Sequence, residues 1–155
     1  MTAETAVPQG DGAGSTDDGG IGVVVVSHGQ LARELLNAAE TIVGELPTFA
    51  AVSIGWHEDT EDARDEMAQA VARVEHGHGV LILTDMFGGT PSNLALTFLV
   101  EGRVEVITGV NLPMLIKLTT LSRGGRLLDV AREMREQGRN AIWVASDLLR
   151  GERTS

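Results

Sequence analysis

The chain contains no cysteine, which removes disulfides, thiolate metal sites and cysteine nucleophiles together. It has one lysine, Lys117, its arginines are scattered, and its formal net charge is -10. With no basic stripe to overcome that repulsion, nucleic acid and anionic membrane are set aside as ligands. No window approaches the roughly 18 consecutive apolar residues that a membrane-crossing helix needs. The N-terminus lacks a basic region followed by an apolar stretch, so no signal peptide is expected and the cytoplasm is the expected location. Two nucleotide motifs are also missing. No G-x-x-x-x-G-K-[ST] loop occurs, and the first strand runs into SHGQLA rather than G-x-G-x-x-G, which argues against a P-loop and a dinucleotide site.

What is present fits one domain: 155 residues, of which 43% are apolar, supply a single sizeable core. Residues 1–20 stand apart. They are rich in Gly, Asp, Thr and Ala, without periodicity, and carry Glu4, Asp11, Asp17 and Asp18 with no basic residue. Such a segment buries too little apolar surface to offset its ordering entropy, so a disordered acidic leader is expected. The folded domain is expected over 21–150, with a disordered tail at 151–155.

Within the body, IGVVVVS (21–27) is a β-branched run of the kind found in strands buried on both faces. Leu31, Leu35, Ala38, Ala39 and Ile42 recur at helical spacing, and Gly44 stops that helix. FAAVSIG (49–55) reads as a second strand. Asp59 or Thr60 caps a helix with Ala63, Met67, Ala70, Val71 and Val74 inward. GVLILTD (79–85) is a third strand, a glycine turn follows, and a helix runs from about Pro91 to Val100. VEVITG (104–109) is a fourth. Helices are then expected over 112–121 and 127–137, divided by Arg123-Gly124-Gly125. The last apolar run, AIWVAS (141–146), is expected to lie antiparallel at an edge. The resulting fold class is α/β: an open, mainly parallel sheet of four parallel strands plus a C-terminal antiparallel edge strand, with helices on both faces.

Ligands of such sheets bind beyond the carboxyl ends of the strands. Three segments end there: Ser27-His28-Gly29, Thr84 to Pro91, and Thr108 to Asn111. A neutral imidazole has one free lone pair near pH 7, which makes His28 a good phosphate acceptor. A carboxylate bonded to the other ring nitrogen, with Asp85 as candidate, fixes the tautomer and orients the ring. The amides of Gly88, Gly89 and Thr90, with the Thr90 hydroxyl, are candidate donors to phosphate oxygens.

The segments VVVVSHGQLARELLNAAETIVG, GVLILTDMFGGTPSNLAL and VEVITGVNLPML resemble the IIA component of the mannose-type (mannose/fructose/sorbose) sugar phosphotransferase system, over residues 21–149. The resemblance implies that His28 is phosphorylated by the histidine-containing phosphocarrier protein and that Asp85 pairs with it. It implies onward transfer to a IIB component during sugar uptake. It further implies a homodimer formed by exchange of the last strand, 141–146, and, because the chain ends at Ser155, a IIB component on a separate chain. Ser92 stands where some relatives have phenylalanine, and the acidic leader lies outside the family pattern. With proteins as both donor and acceptor, no metal, nucleotide or other cofactor is required.

Plainer readings stand beside these. His28 could pack under a loop, Asp85 could merely cap the turn after it, and Gly88-Gly89 could serve backbone geometry alone. Ser27 and His28 are not a hydrolase pair, because adjacent side chains at a strand end diverge. His76-Gly77-His78 lacks a third metal ligand, and His57 reads as a loop residue. Phe87 is either exposed for a partner or folded into the core. Asn111, Leu112 and Pro113 form either a partner-docking lip or a plain helix start. Two other functions compete: a regulatory module whose His28 phosphorylation state is read by a partner, and a small-molecule binding domain of flavodoxin-like shape.

Overall fold

The computed structural model describes residues 20–56, 59–121 and 125–151. The leader up to residue 19, His57, Arg123-Gly124 and the tail from residue 152 lie outside the described residues. In chain order the elements are β1 (Gly22–His28), α1 (Leu31–Val43), β2 (Phe49–Ile54), α2 (Thr60–Val74), β3 (Val80–Thr84), α3 (Thr90–Leu96), β4 (Val104–Thr108), α4 (Leu112–Leu118), α5 (Leu127–Asn140) and α6 (Ala145–Leu149). The four strands form one parallel sheet in the order β2-β1-β3-β4.

Strand alternation divides the core into two layers. Val23 and Val25 of β1, with Leu81 and Leu83 of β3, face α1, α4 and α5. Val24 and Val26, with Val80 and Ile82, face α2 and α3. Both faces are therefore covered, which is why these strands read as unbroken apolar runs. The chain leaves β1 towards β2 on one side and returns to β3 on the other. The topological switch point thus falls between β1 and β3, where ligand crevices form in such sheets.

Local chemistry sets the helix limits. The Asp59 carboxylate accepts the Glu61 N–H at 3.0 Å and caps α2. In α3, the Thr97 hydroxyl donates to the Leu94 carbonyl at 2.6 Å and the Thr97 N–H turns to the same oxygen. This i→i−3 closure ends the helix at Leu96, short of the expected Val100. Thr119 and Thr120 close α4 in the same way, through bonds of 2.7 and 2.9 Å to the Ile116 and Lys117 carbonyls.

Two expectations are corrected. The inward stripe of α1 was expected to include Leu31 and Ile42, but both are exposed, and Ala32 and Ala39 are buried with Leu35 packed against them. The cause is Ser27: its buried hydroxyl accepts the Ala32 N–H at 2.6 Å, which pins the phase of the first turn. The second correction concerns 141–146. No antiparallel edge strand forms; residues 141–144 pair with no strand and Ala145–Leu149 is a short helix. A strand exists only within a ladder. Here local bonds prevail, from Leu148 N–H to Val144 O and from Arg150 N–H to Ser146 O, each 3.1 Å, beside an Arg150–Asp147 ion pair of 2.8 Å. Ile142 and Val144 are left 75% and 66% exposed.

Candidate functional site

Register puts the ends of β1, β3 and β4 at one level: Val26 lies beside Thr84, and Thr84 beside Thr108. Beyond that level His28, the last residue of β1, meets Asp85, the residue after β3, across the switch point. His28 Nδ1 lies 2.8 Å from Asp85 Oδ2, and the same oxygen accepts the His28 backbone N–H at 2.9 Å. The other carboxylate oxygen accepts the Met86 N–H at 2.9 Å. Asp85 is thus bonded from three directions, and its side chain is only 11% exposed, whereas that of His28 is 53% exposed.

Burial alone would raise the pKa of Asp85. The bonds from the His28 amide and ring, attraction to the ring, and the Met86 amide outweigh it, and the carboxyl sits below the ordinary aspartate value. Asp85 is therefore ionised at neutral pH and can only accept, so Nδ1 carries the proton that it shares with Asp85. In a neutral ring, the lone pair is then on Nε2.

Nε2 faces the glycine turn. A Cβ added to Gly89 would stand 2.9 Å from Nε2 and 3.1 Å from Cε1, so only glycine permits this approach. Gly88 and Gly89 have φ of 100° and 90°, a region that side-chain-bearing residues rarely adopt. Of the three candidate phosphate donors, Gly88 is already engaged: its N–H donates to Ser92 Oγ at 2.8 Å. Among the described residues, the amides of Gly89 and Thr90 have no protein acceptor.

The remaining candidates separate. Phe87 is 72% exposed at the turn tip, and Met86 beside it is exposed too. Asn111 is occupied within the fold: its Oδ1 accepts the Met114 N–H at 3.1 Å and its Nδ2 donates to the Gly138 carbonyl at 3.0 Å, capping α4 and tying it to α5. Leu112 packs against the core, and Pro113 is exposed. His76 and His78 lie in an exposed turn before β3. Among the described residues no group of three His, Asp or Glu side chains is placed to hold a metal ion. Sequence reading missed three features: the Ser27 anchor of α1, the Ser92 bond to the turn, and the exposed Trp56 just after β2. A serine four residues after the first glycine of the turn was the available signal for the second.

Fold and site together define an α/β protein that presents a carboxylate-tethered imidazole at the switch point of a parallel sheet. Residues 22–134 match the family model described as PTS system fructose IIA component. The PTS system fructose-specific EIIA component of Bacillus subtilis is 30% identical over 136 residues, covering 87% of this chain and 93% of that protein. The mannose-specific EIIAB component of Escherichia coli is 35% identical over 98 residues, 63% of this chain. That alignment covers only 30% of the longer protein. Among solved structures, the PTS IIA protein associated with the fucose utilization operon of Streptococcus pneumoniae superposes with a TM-score of 0.74 at 28% identity, covering 84% of this chain and 96% of that one. The chain belongs to the mannose-type family of phosphotransferase-system IIA components, which are phosphotransfer proteins of sugar transport. No helix among the described residues is long and apolar enough to cross a membrane.

Proposed function

We propose that the chain is a cytoplasmic phosphoryl carrier whose His28 accepts phosphate from the histidine-containing phosphocarrier protein and passes it to a IIB component. The observation that carries this reading is the pair of hydrogen bonds that Asp85 Oδ2 accepts, from the amide and from Nδ1 of His28. It holds the ring in one tautomer and one orientation, with a nucleophilic Nε2 on the half-exposed side.

In the transfer, the Nε2 lone pair attacks phosphorus in line. The bond between phosphorus and the donor's histidine nitrogen breaks, and its electron pair returns to the donor ring. Positive charge arising on the His28 ring is stabilised by the Asp85 carboxylate. The amides of Gly89 and Thr90 bind the phosphoryl oxygens, and Gly88 shapes the turn that carries them. Transfer to IIB is the same step with His28 as the leaving group. Both directions exchange one phosphorus–nitrogen bond for another, so the chemistry calls for no metal or nucleotide.

Docking of both protein partners falls to the exposed rim, with Phe87 and Pro113 as contacts and Leu112 and Asn111 supporting them from behind. The exposed apolar run 141–144 fits a homodimer formed by exchanging that segment onto the outer strand of a second copy. The test is labelling by phosphoenolpyruvate, enzyme I and the phosphocarrier protein: wild type acquires an acid-labile phosphate and His28→Ala does not. Equal labelling of the two would exclude His28 as the acceptor.

A further inference from the structure

We infer that Ser92 is a positioning residue for phosphoryl transfer, acting through the glycine turn. This rests on the phosphoryl-carrier reading. Ser92 is fully buried in α3 and touches the turn twice. Its Oγ accepts the Gly88 N–H at 2.8 Å and donates to the Gly89 carbonyl at 3.3 Å. One hydroxyl therefore clamps both glycines at the point where both have positive φ. Glycine loses more conformational freedom on ordering than any other residue, so a Gly-Gly pair has no internal means of holding that shape. The Asn93 N–H holds the Gly89 carbonyl at 3.0 Å, and the Ser92 hydroxyl is the group that ties Gly88 and Gly89 to each other.

Two consequences reach the reacting nitrogen. First, the clamp helps hold Gly89 facing His28, where an added Cβ would be 2.9 Å from Nε2. Second, it sorts the amides. Gly88 is withdrawn into an internal bond, whereas Gly89 and Thr90 have no protein acceptor among the described residues. The phosphoryl group on Nε2 is then bound by two preset amides rather than three mobile ones. Preset donors need no reorganisation as charge develops, and so favour the transition state. Among the described residues the Ser92 hydroxyl bonds only the turn, so its effect on His28 is transmitted through Gly88 and Gly89.

The experiment compares wild type with Ser92→Ala in single-turnover phosphorylation by the phosphorylated carrier protein, at varied donor concentration and well below either protein's unfolding temperature. We expect the maximal rate to fall about threefold to tenfold, the loss of one net hydrogen bond's worth of positioning, with the half-saturating donor concentration unchanged. An unchanged maximal rate, or a loss confined to donor binding, overturns the inference. Wild type alone gives a second reading should Ser92→Ala fail to fold. In amide NMR, Gly88 should exchange slowly and shift little on phosphorylation, while Gly89 and Thr90 shift most; the largest shift at Gly88 overturns the assignment. Failure of wild type to take any phosphate overturns the carrier reading and this inference with it, a result distinct from labelling at full rate in Ser92→Ala.

Discussion

Gly89 faces His28 at the one atom that matters to the proposed chemistry: a methyl group on the Gly89 Cα would lie 2.9 Å from Nε2. Gly89→Ala should therefore reduce the rate of phosphorylation by about 100-fold, the scale of a displacement near 1 Å at a reacting centre. Gly89 has φ 90° and ψ 174°, a combination essentially reserved for glycine, so the substitution adds a stability cost of about 1–3 kcal/mol. Labelling kinetics and a denaturant melt separate the two effects. A fully active Gly89→Ala would mean that the turn does not approach the ring in solution.

Asp85→Asn keeps the shape but breaks the pattern of acceptors. The carboxylate receives the His28 amide and ring on one oxygen and the Met86 amide on the other. A carboxamide must turn its NH2 towards one of these donors. The rate of labelling should fall about 10- to 100-fold, measured with the same donor as wild type. A wild-type rate would remove Asp85 from the mechanism.

The same carboxyl gives a pH signature. Its folded pKa is depressed below the ordinary aspartate value, near 3.9 in the unfolded chain. A depressed group adds stability that is fully present above the unfolded pKa and lost as pH falls through the folded one. From about pH 5 downward, wild type should lose melting temperature faster than Asp85→Asn. Parallel curves would show that the three bonds to Asp85 contribute nothing to the fold.

These relationships were unequally legible in the sequence. His28, Asp85 and Gly89 each sit at or just past a strand end, and strands made of unbroken β-branched and aliphatic runs leave little freedom in register, so their meeting on one rim followed from the topology. The phase of α1 did not follow. Of the residues at helical spacing, Ala39 is buried and Leu35 packs on the core as the period implies, but Leu31 and Ile42 are exposed while Ala32, outside that set, is buried, its N–H bonded to the Ser27 hydroxyl. Ser92 was legible only in part: its spacing after Gly88 allows a bond to the turn, but which backbone groups its hydroxyl meets depends on the turn's shape. The run at 141–146 has strand composition, but whether it becomes a strand depends on a partner ladder, which local sequence does not encode.

Ser27→Ala tests the anchor of α1. Removing the hydroxyl leaves the Ala32 N–H buried without its 2.6 Å partner, and a cost of about 1–3 kcal/mol is expected in denaturant unfolding. A cost within error would show that water or another acceptor takes its place.

The apolar C-terminal segment yields a prediction about assembly. Light scattering should give a dimer for the full chain and a monomer after deletion of residues 141–155. A monomeric full chain would rule out exchange of this segment.

The central claim is that Nε2 of His28, and no other atom, carries the phosphate. Heteronuclear NMR of the phosphorylated protein, with the imidazole nitrogens labelled, addresses it most directly. Phosphorus should couple to Nε2 of His28 while Nδ1 keeps its proton. Phosphorus on Nδ1, or on any residue other than His28, would contradict it.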